Sequence, residues 1–256
     1  MKTRTLFVAL AFLLPAALLQ EHAAADTTFA DGTFNNSDWS LTLQISGNGG
    51  TSNATQVTSG GNPGSYYQVY IQSNGDTGNG VGSGTAAFYL NNNFNFTPSS
   101  QGAVTSLDFS FDLSTISGAA FAEVAVMQNG NLYLADEHYT TSGAWTPFSQ
   151  LLLTASDFGL IAPNPNGNGE IGPSSTHPDF AATGSLLQFG FSTVYDSPPG
   201  ALGGPYSDIF GVDNYLLTLH TSAAVPEPAT VYAGAGVVLF LLFFHIKRQR
   251  KIAGKF

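Results

Sequence analysis

The sequence contains no cysteine, and from residue 26 to residue 222 it contains no lysine or arginine either. The first absence excludes disulfides, so whatever folds must be held by core burial alone. The second excludes internal ion pairs with Lys or Arg across that stretch and leaves trypsin no site in it. All seven Lys and Arg residues sit near the two ends of the chain. Of the seventeen Asp and Glu residues, only Glu21 and Glu227 fall outside residues 26–222, which leaves fifteen carboxylates there. Such a stretch repels nucleic acid, anionic membrane and anionic polymers over a Debye length of about 8–10 Å. The partners open to it are neutral, cationic or bridged by a divalent cation. His138, His177 and His220 are its only side-chain bases that titrate near neutral pH. Stretches of 3.6-residue periodicity are almost missing, as are a Gly-x-Ser-x-Gly elbow, a His-Glu-x-x-His pair and a phosphate-binding Gly-Lys motif, so neither a helical fold nor these catalytic classes is indicated.

What is present begins at the ends. Lys2 and Arg4 precede an apolar run over residues 6–19, and Ala23-Ala24-Ala25 supplies the small residues that a signal peptidase requires. Residues 1–25 therefore read as a signal peptide cut before Asp26. At the other end, Val225-Pro226-Glu227-Pro228-Ala229-Thr230 runs into an apolar stretch over residues 230–246, followed by Lys247, Arg248, Arg250 and Lys251. Seventeen residues at about 1.5 Å each approach the ~30 Å hydrocarbon core of a bilayer, so one transmembrane helix is expected. The basic cluster places its C-terminal end in the cytoplasm, with Glu227 on the outer side. The two prolines keep the box out of a helix interior and hence extended.

This order of Pro-Glu-Pro box, apolar span and basic end resembles the bacterial PEP-CTERM sorting signal. That resemblance implies an exosortase as partner, recognition at Val225, Pro226, Glu227 and Pro228, transient anchoring in the inner membrane, and delivery to the cell surface or extracellular matrix. The expected organisation is a signal peptide (1–25), an exported domain (26–222) and a sorting signal (223–256) made of the box (225–230), the transmembrane helix (230–246) and a basic cytoplasmic tail (247–256).

Between the ends the composition favours Gly, Asn, Ser, Thr and Phe. Period-two alternation is plain in Trp39-Ser40-Leu41-Thr42-Leu43-Gln44-Ile45, Leu107-Asp108-Phe109-Ser110-Phe111-Asp112-Leu113, Leu187-Gln188-Phe189-Gly190-Phe191 and Tyr215-Leu216-Leu217-Thr218-Leu219. Weaker strands are expected over residues 67–72, 85–90, 122–127 and 132–134. Gly/Asn/Pro clusters at 46–50, 60–64, 74–84, 163–173 and 197–205 read as turns or loops. The class is all-β, an antiparallel β-sandwich of one domain.

Three landmarks sharpen this. Phe29-x-Asp31-Gly32-Thr33-Phe34-Asn35 with Asp38-Trp39-Ser40-Leu41, then Ala144-Trp145-Thr146-Pro147-Phe148 leading to Ser156-Asp157-Phe158, then Gly211-Val212-Asp213-Asn214-Tyr215 resemble the galactose-binding-like jelly roll shared by many carbohydrate-binding modules; a concanavalin-like sandwich is the rival. The resemblance implies a structural calcium on Asp31 and Asp213, although the usual early Glu is absent. Fifteen carboxylates without a base would favour such an ion, while Asp31 before Gly32 is also ordinary turn chemistry. For sugar stacking, Tyr66 and Tyr67 beside Asn62-Pro63-Gly64, and Tyr206 in a Gly/Pro loop, are the rings expected to be presented. Asp136-Glu137-His138 reads as the polar edge of a hairpin, because neighbouring strand residues face opposite ways.

The function expected is that of a non-enzymatic component of the cell surface or matrix that holds neutral polysaccharide. The alternatives are a structural matrix protein of biofilm or floc without a specific ligand, and a polysaccharide hydrolase or lyase dependent on Glu137 or Glu170.

Overall fold

The computed structural model describes residues 26–163 and 171–222. The signal peptide, the Pro-Glu-Pro box with Val225, Pro226, Glu227 and Pro228, the expected membrane helix, the basic tail and loop 164–170 with Glu170 lie outside the described residues.

Among the described residues, thirteen strands form two antiparallel sheets. The first joins β3 (Gly50–Gly61), β4 (Gly64–Ser73), β13 (Tyr206–Thr221), β6 (Val104–Ser117) and β9 (Thr146–Leu153) in that order, and β1 (Thr27–Asp31) pairs with the second half of β13. The second runs β11 (Ile171–Pro173), β10 (Gly159–Pro163), β8 (Asn131–Thr140), β7 (Ala120–Gln128), β12 (Leu187–Ser197), β5 (Ser83–Phe96) and β2 (Trp39–Gly47). One four-residue helix, α1 (Pro98–Gln101), bridges β5 and β6. The orders β4-β13-β6-β9 and β5-β12-β7-β8 are jelly-roll pairings, in which the chain's early strands sit beside its late ones.

Each expected strand is found, and the alternation places the faces as anticipated except on β2, where Trp39 is buried but Leu41 and Ile45 are exposed. Val69, Ile71, Phe109, Phe111, Phe210, Val212, Leu217 and Leu219 of the first sheet meet Tyr89, Val124, Val126, Phe189 and Phe191 of the second in one core. Burying side chains of this size contributes about 1.5–3 kcal/mol each, which is what holds a domain without disulfides. Trp39 stands at its centre, with ring centroids 5.4 Å from Phe34, 5.5 Å from Phe191 and 5.8 Å from Tyr215.

One further region departs from the sequence reading. Residues 51–59, mostly Thr and Ser, form β3 because β4 supplies a partner ladder that propensity does not register. Asp136-Glu137-His138 does lie along a hairpin edge: that half of β8 pairs with β7 alone, because β10 reaches only Tyr133 and Leu134.

Candidate functional site

β8 carries an irregularity that builds the site. Its register against β7 shifts between Ala122, opposite His138, and Val124, opposite Ala135. Two residues of β8 therefore face Glu123 alone, which is a β-bulge. The bulge turns Glu137 to the outer face beside Glu123 and returns His138 to the core, where its ring centroid lies 4.9 Å from Phe148 and 5.7 Å from both Phe109 and Phe111.

The outer face of this sheet holds a second apolar cluster that includes Ala86, Phe88, Leu90, Ala125, Leu132, Leu134 and Ile161. β5 is accordingly buried on both faces from Ser83 to Asn91. Two recesses open on this face. One, of about 270 Å³, has an apolar floor of Leu134, Ile161 and Val194 and is walled by Glu123, Glu137 and Asp196. The other, of about 420 Å³, continues past Glu137, Val194 and Asp196 to Tyr139, Tyr195 and Asp208. The three shared residues make the two recesses one groove.

Its chemistry is that of an acceptor-rich channel. Glu123 is only 5% exposed and accepts a 3.5 Å hydrogen bond from the Ser192 hydroxyl. Asp208 accepts from the Ala119 N–H at 2.7 Å, yet burial holds its carboxyl above the ordinary range. Gly118 makes that approach possible: at φ +78° it adopts a backbone that side chains avoid, and a Cβ there would stand 1.9 Å from Asp208 Oδ1. Burial, then Asp208 and Tyr206, push the Tyr195 hydroxyl up. Tyr139 is 60% exposed, and its ring is available to a ligand. Among the described residues, no cationic side chain lines either recess.

The residues singled out from the sequence fall elsewhere. Tyr67, expected to be presented, is a core ring at 4% exposure, stacked 5.6 Å from Phe34 and edge-on 5.8 Å from Tyr89. Its parity along β4 sends it inward and its neighbour Tyr66 outward, where Tyr66 is half-buried against Trp145 at 5.3 Å. Tyr206 is also half-buried, at the start of β13, and its hydroxyl donates to the Leu202 carbonyl at 2.9 Å.

Asp31 is a turn anchor. Its Oδ1 accepts from the N–H groups of Thr33 and Phe34, each at 2.8 Å, and from the Thr33 hydroxyl at 2.9 Å, while Oδ2 accepts from Trp39 Nε1 at 2.8 Å. Asp213 is fully buried opposite Asp112 on paired strands. Burial raises its carboxyl above the ordinary range, and Asp112 and Asp31 add to this, against donated bonds from the N–H groups of Asn62 and Asn214. The side-chain amides of Asn62 and Asn214 both donate to Asp112 Oδ2, at 2.9 and 2.7 Å. The structure thus adds Asp112 to the expected pair and supplies amide donors beside it. Among the described residues, no group of three or more His, Cys, Asp or Glu side chains is arranged to hold a metal ion.

Sequence reasoning missed the groove. Glu123 and Asp196 are isolated acids in alternating strands that the pairing of β7 with β12 brings to one face, and Asp208 joins them from β13 of the other sheet. The one local signal was the crowding of Asp136, Glu137 and His138, which a strand accommodates by bulging.

No protein-family model matches the chain, and no curated protein matches it. Solved structures do. One is a family 11 carbohydrate-binding module from Clostridium thermocellum in complex with a β-1,3-1,4-mixed-linked tetrasaccharide, at 17% identity and TM-score 0.43, with 79% of this chain and 99% of that one covered. Another is the CBM22-1 xylan-binding domain of Paenibacillus barcinonensis Xyn10C, at 11% identity and TM-score 0.36, with 78% and 98% covered. A third is an exo-β-agarase, at 12% identity and TM-score 0.40, with 76% of this chain and 25% of that one covered.

Proposed function

We propose that the domain binds a neutral polysaccharide in the groove of β7, β8 and β12, and that the chain is exported and sorted to the cell surface or matrix by an exosortase acting on Pro226-Glu227-Pro228. One observation carries the binding reading: carboxylate acceptors and an exposed tyrosine ring line a groove with an apolar floor, in a domain whose charge turns anionic polymers away. Sugar hydroxyls donate to Glu137 and Asp196, and a pyranose face packs on Tyr139.

The test is retention of the purified full chain on mixed-linkage β-glucan, xylan, galactan and, as an anionic control, alginate. Retention on a neutral polymer that falls about tenfold with Tyr139→Ala, at unchanged Tm, supports the groove, as expected for one ring contact of about 1.4 kcal/mol. Retention on none of the neutral polymers sinks it and leaves the structural matrix protein. The structural calcium expected on Asp31 and Asp213 belongs to the same proposal, and a Tm that does not fall in chelator rejects it. Sorting is tested by the mass of the mature protein, which must lack residues 247–256.

The meeting of Glu123, Glu137 and Asp196 in one groove favours a second reading, glycoside hydrolysis, since paired carboxylates are its minimum machinery. Release of reducing sugar that disappears in Glu137→Gln would establish that reading.

A further inference from the structure

The opposite side of the sandwich carries a surface built from different chemistry. Along β4 the side chains of Tyr66, Gln68, Tyr70 and Gln72 share the outer face of the first sheet, since Tyr67, Val69 and Ile71 enter the core. The register sets Val57, Thr55, Asn53 and Thr51 of β3 on one flank and Gly211, Ile209 and Ser207 of β13 on the other. Rings and amides alternate there about 6.7 Å apart, two residues of strand.

The rings are fixed in place. Gly211 leaves the sheet bare where they lie: a Cβ at that position would stand 2.6 Å from Trp145 Cη2 and 2.9 Å from Tyr66 Cδ2. Trp145 reaches in from just before β9, and its Nε1 donates to the Gly60 carbonyl at 2.9 Å. The Tyr66 and Trp145 rings meet edge to face at 5.3 Å and 71°. The Tyr70 hydroxyl donates to the Gln72 amide oxygen, and Gln72 Nε2 passes a bond on to Asn74 Oδ1 at 2.9 Å. Tyr66, Tyr70 and Trp145 all remain partly exposed.

Charge identifies the occupant. Between Asp38 and Asp76 the sequence has no Asp, Glu, Lys, Arg or His, so β3 and β4 form a neutral strip in a domain with fifteen carboxylates. A lipid headgroup or an acidic or basic protein finds no counter-charge on it. A neutral polysaccharide chain finds both groups it needs, ring faces for its C–H surfaces and amides for its hydroxyls.

We infer that the outer face of β3, β4 and the first half of β13 is a second binding surface for neutral polysaccharide, so that one domain holds two chains on opposite sheets and cross-links them. The cross-linking half rests on binding in the groove; the surface itself does not. Two linked contacts convert modest single affinities into cohesion of a polymer network.

The experiment mixes the purified full chain with soluble mixed-linkage β-glucan, xylan or galactan and follows both affinity, by calorimetry, and cross-linking, by turbidity. Tyr66→Ala/Tyr70→Ala, and separately Gln72→Ala, which removes no ring packing, should retain groove binding but lose about tenfold or more of the turbidity. Tyr139→Ala should retain binding at the strip. Unchanged turbidity in the strip variants overturns the inference and leaves the groove standing. Complete loss of binding in Tyr139→Ala overturns it in the same way. If Tyr139→Ala binds as the wild type does while the strip variants bind nothing, the strip stands, and the groove falls together with cross-linking between the two sheets. A change in self-association without a change in polymer binding assigns the strip to a second copy of the chain and overturns the inference, and a wild type that binds no polymer overturns both readings.

Discussion

The two outer faces of this sandwich obey the same strand geometry and present opposite chemistry. The face of β7, β8 and β12 gathers Glu123, Glu137 and Asp196 over a buried apolar cluster, and a bulge aims one of those acids. The face of β3 and β4 has no charge and displays rings and amides at regular spacing. In a domain without Lys or Arg of its own, acids placed on one face leave the other free of repulsion. Selectivity is thereby set face by face, and the mean acidity of the domain describes neither face well.

The largest expected effect comes from splitting two adjacent residues of β4. Tyr67→Ala removes a core ring at 4% exposure and should cost about 3–5 kcal/mol in urea unfolding, whereas Tyr66→Ala should cost about 1 kcal/mol and act on polymer binding instead. Similar losses of stability from the two would break the distinction between the inward and outward sides of this sheet.

Next comes Asp208→Asn at the end of the groove. Burial raises the Asp208 carboxyl, so its stabilising contribution is present below the ordinary carboxylate range and lost as pH rises through the raised value. Asn keeps an acceptor for the Ala119 N–H. The variant should therefore melt above the wild type at pH 7, and the gain should vanish below about pH 4. A lower Tm at pH 7 would mean that the ionised carboxylate has a favourable partner in the groove.

The smallest effect belongs to the other end of β13, the strand that also carries Asp208, and has the opposite pH signature. His220 lies 3.0 Å from Asp108 and 3.1 Å from Asp26. Asp108 first and then Asp26 raise the imidazole, so its contribution is present below about pH 6.5 and lost as pH rises through the raised value. Partial burial works against Asp108, but the bonds from His220 and the Leu152 N–H hold its carboxyl low, so its contribution is lost only as pH falls through the lowered value. His220→Gln should cost at most about 1 kcal/mol, between roughly pH 4 and 6.5, and nothing once the pH is well above the raised value of the imidazole. A loss that persists at pH 9 would show that packing, and not charge, is what His220 provides.

Much of the fold was legible from residues. Period two along 107–113 and 215–219 marked strands whose inward set could be read directly, because a side chain two positions on returns to the same face. β3 was not legible: Thr, Ser, Asn and Gly suit a turn as well as an edge strand, and the partner that decides between them is β4. Tyr66 and Tyr67 were read together as presented rings, although strand parity allows only one of two neighbours to face out. The neutral stretch between Asp38 and Asp76 was a readable signal for the strip. The groove had no comparable signal, since Asp196 lies about 60 residues from Glu137 and further still from Glu123.

The sequence by itself determined that the domain is all-β, strongly acidic and without disulfides, because composition and period-two alternation act locally and do not depend on which strand lies beside which. Tertiary structure decided which acids share a groove, that Asp31 anchors a turn, that Tyr67 is core, and that a glycine on β13 leaves room for Tyr66 and Trp145. Those outcomes depend on register between strands distant in the chain, and register is settled only when both sheets close on one core.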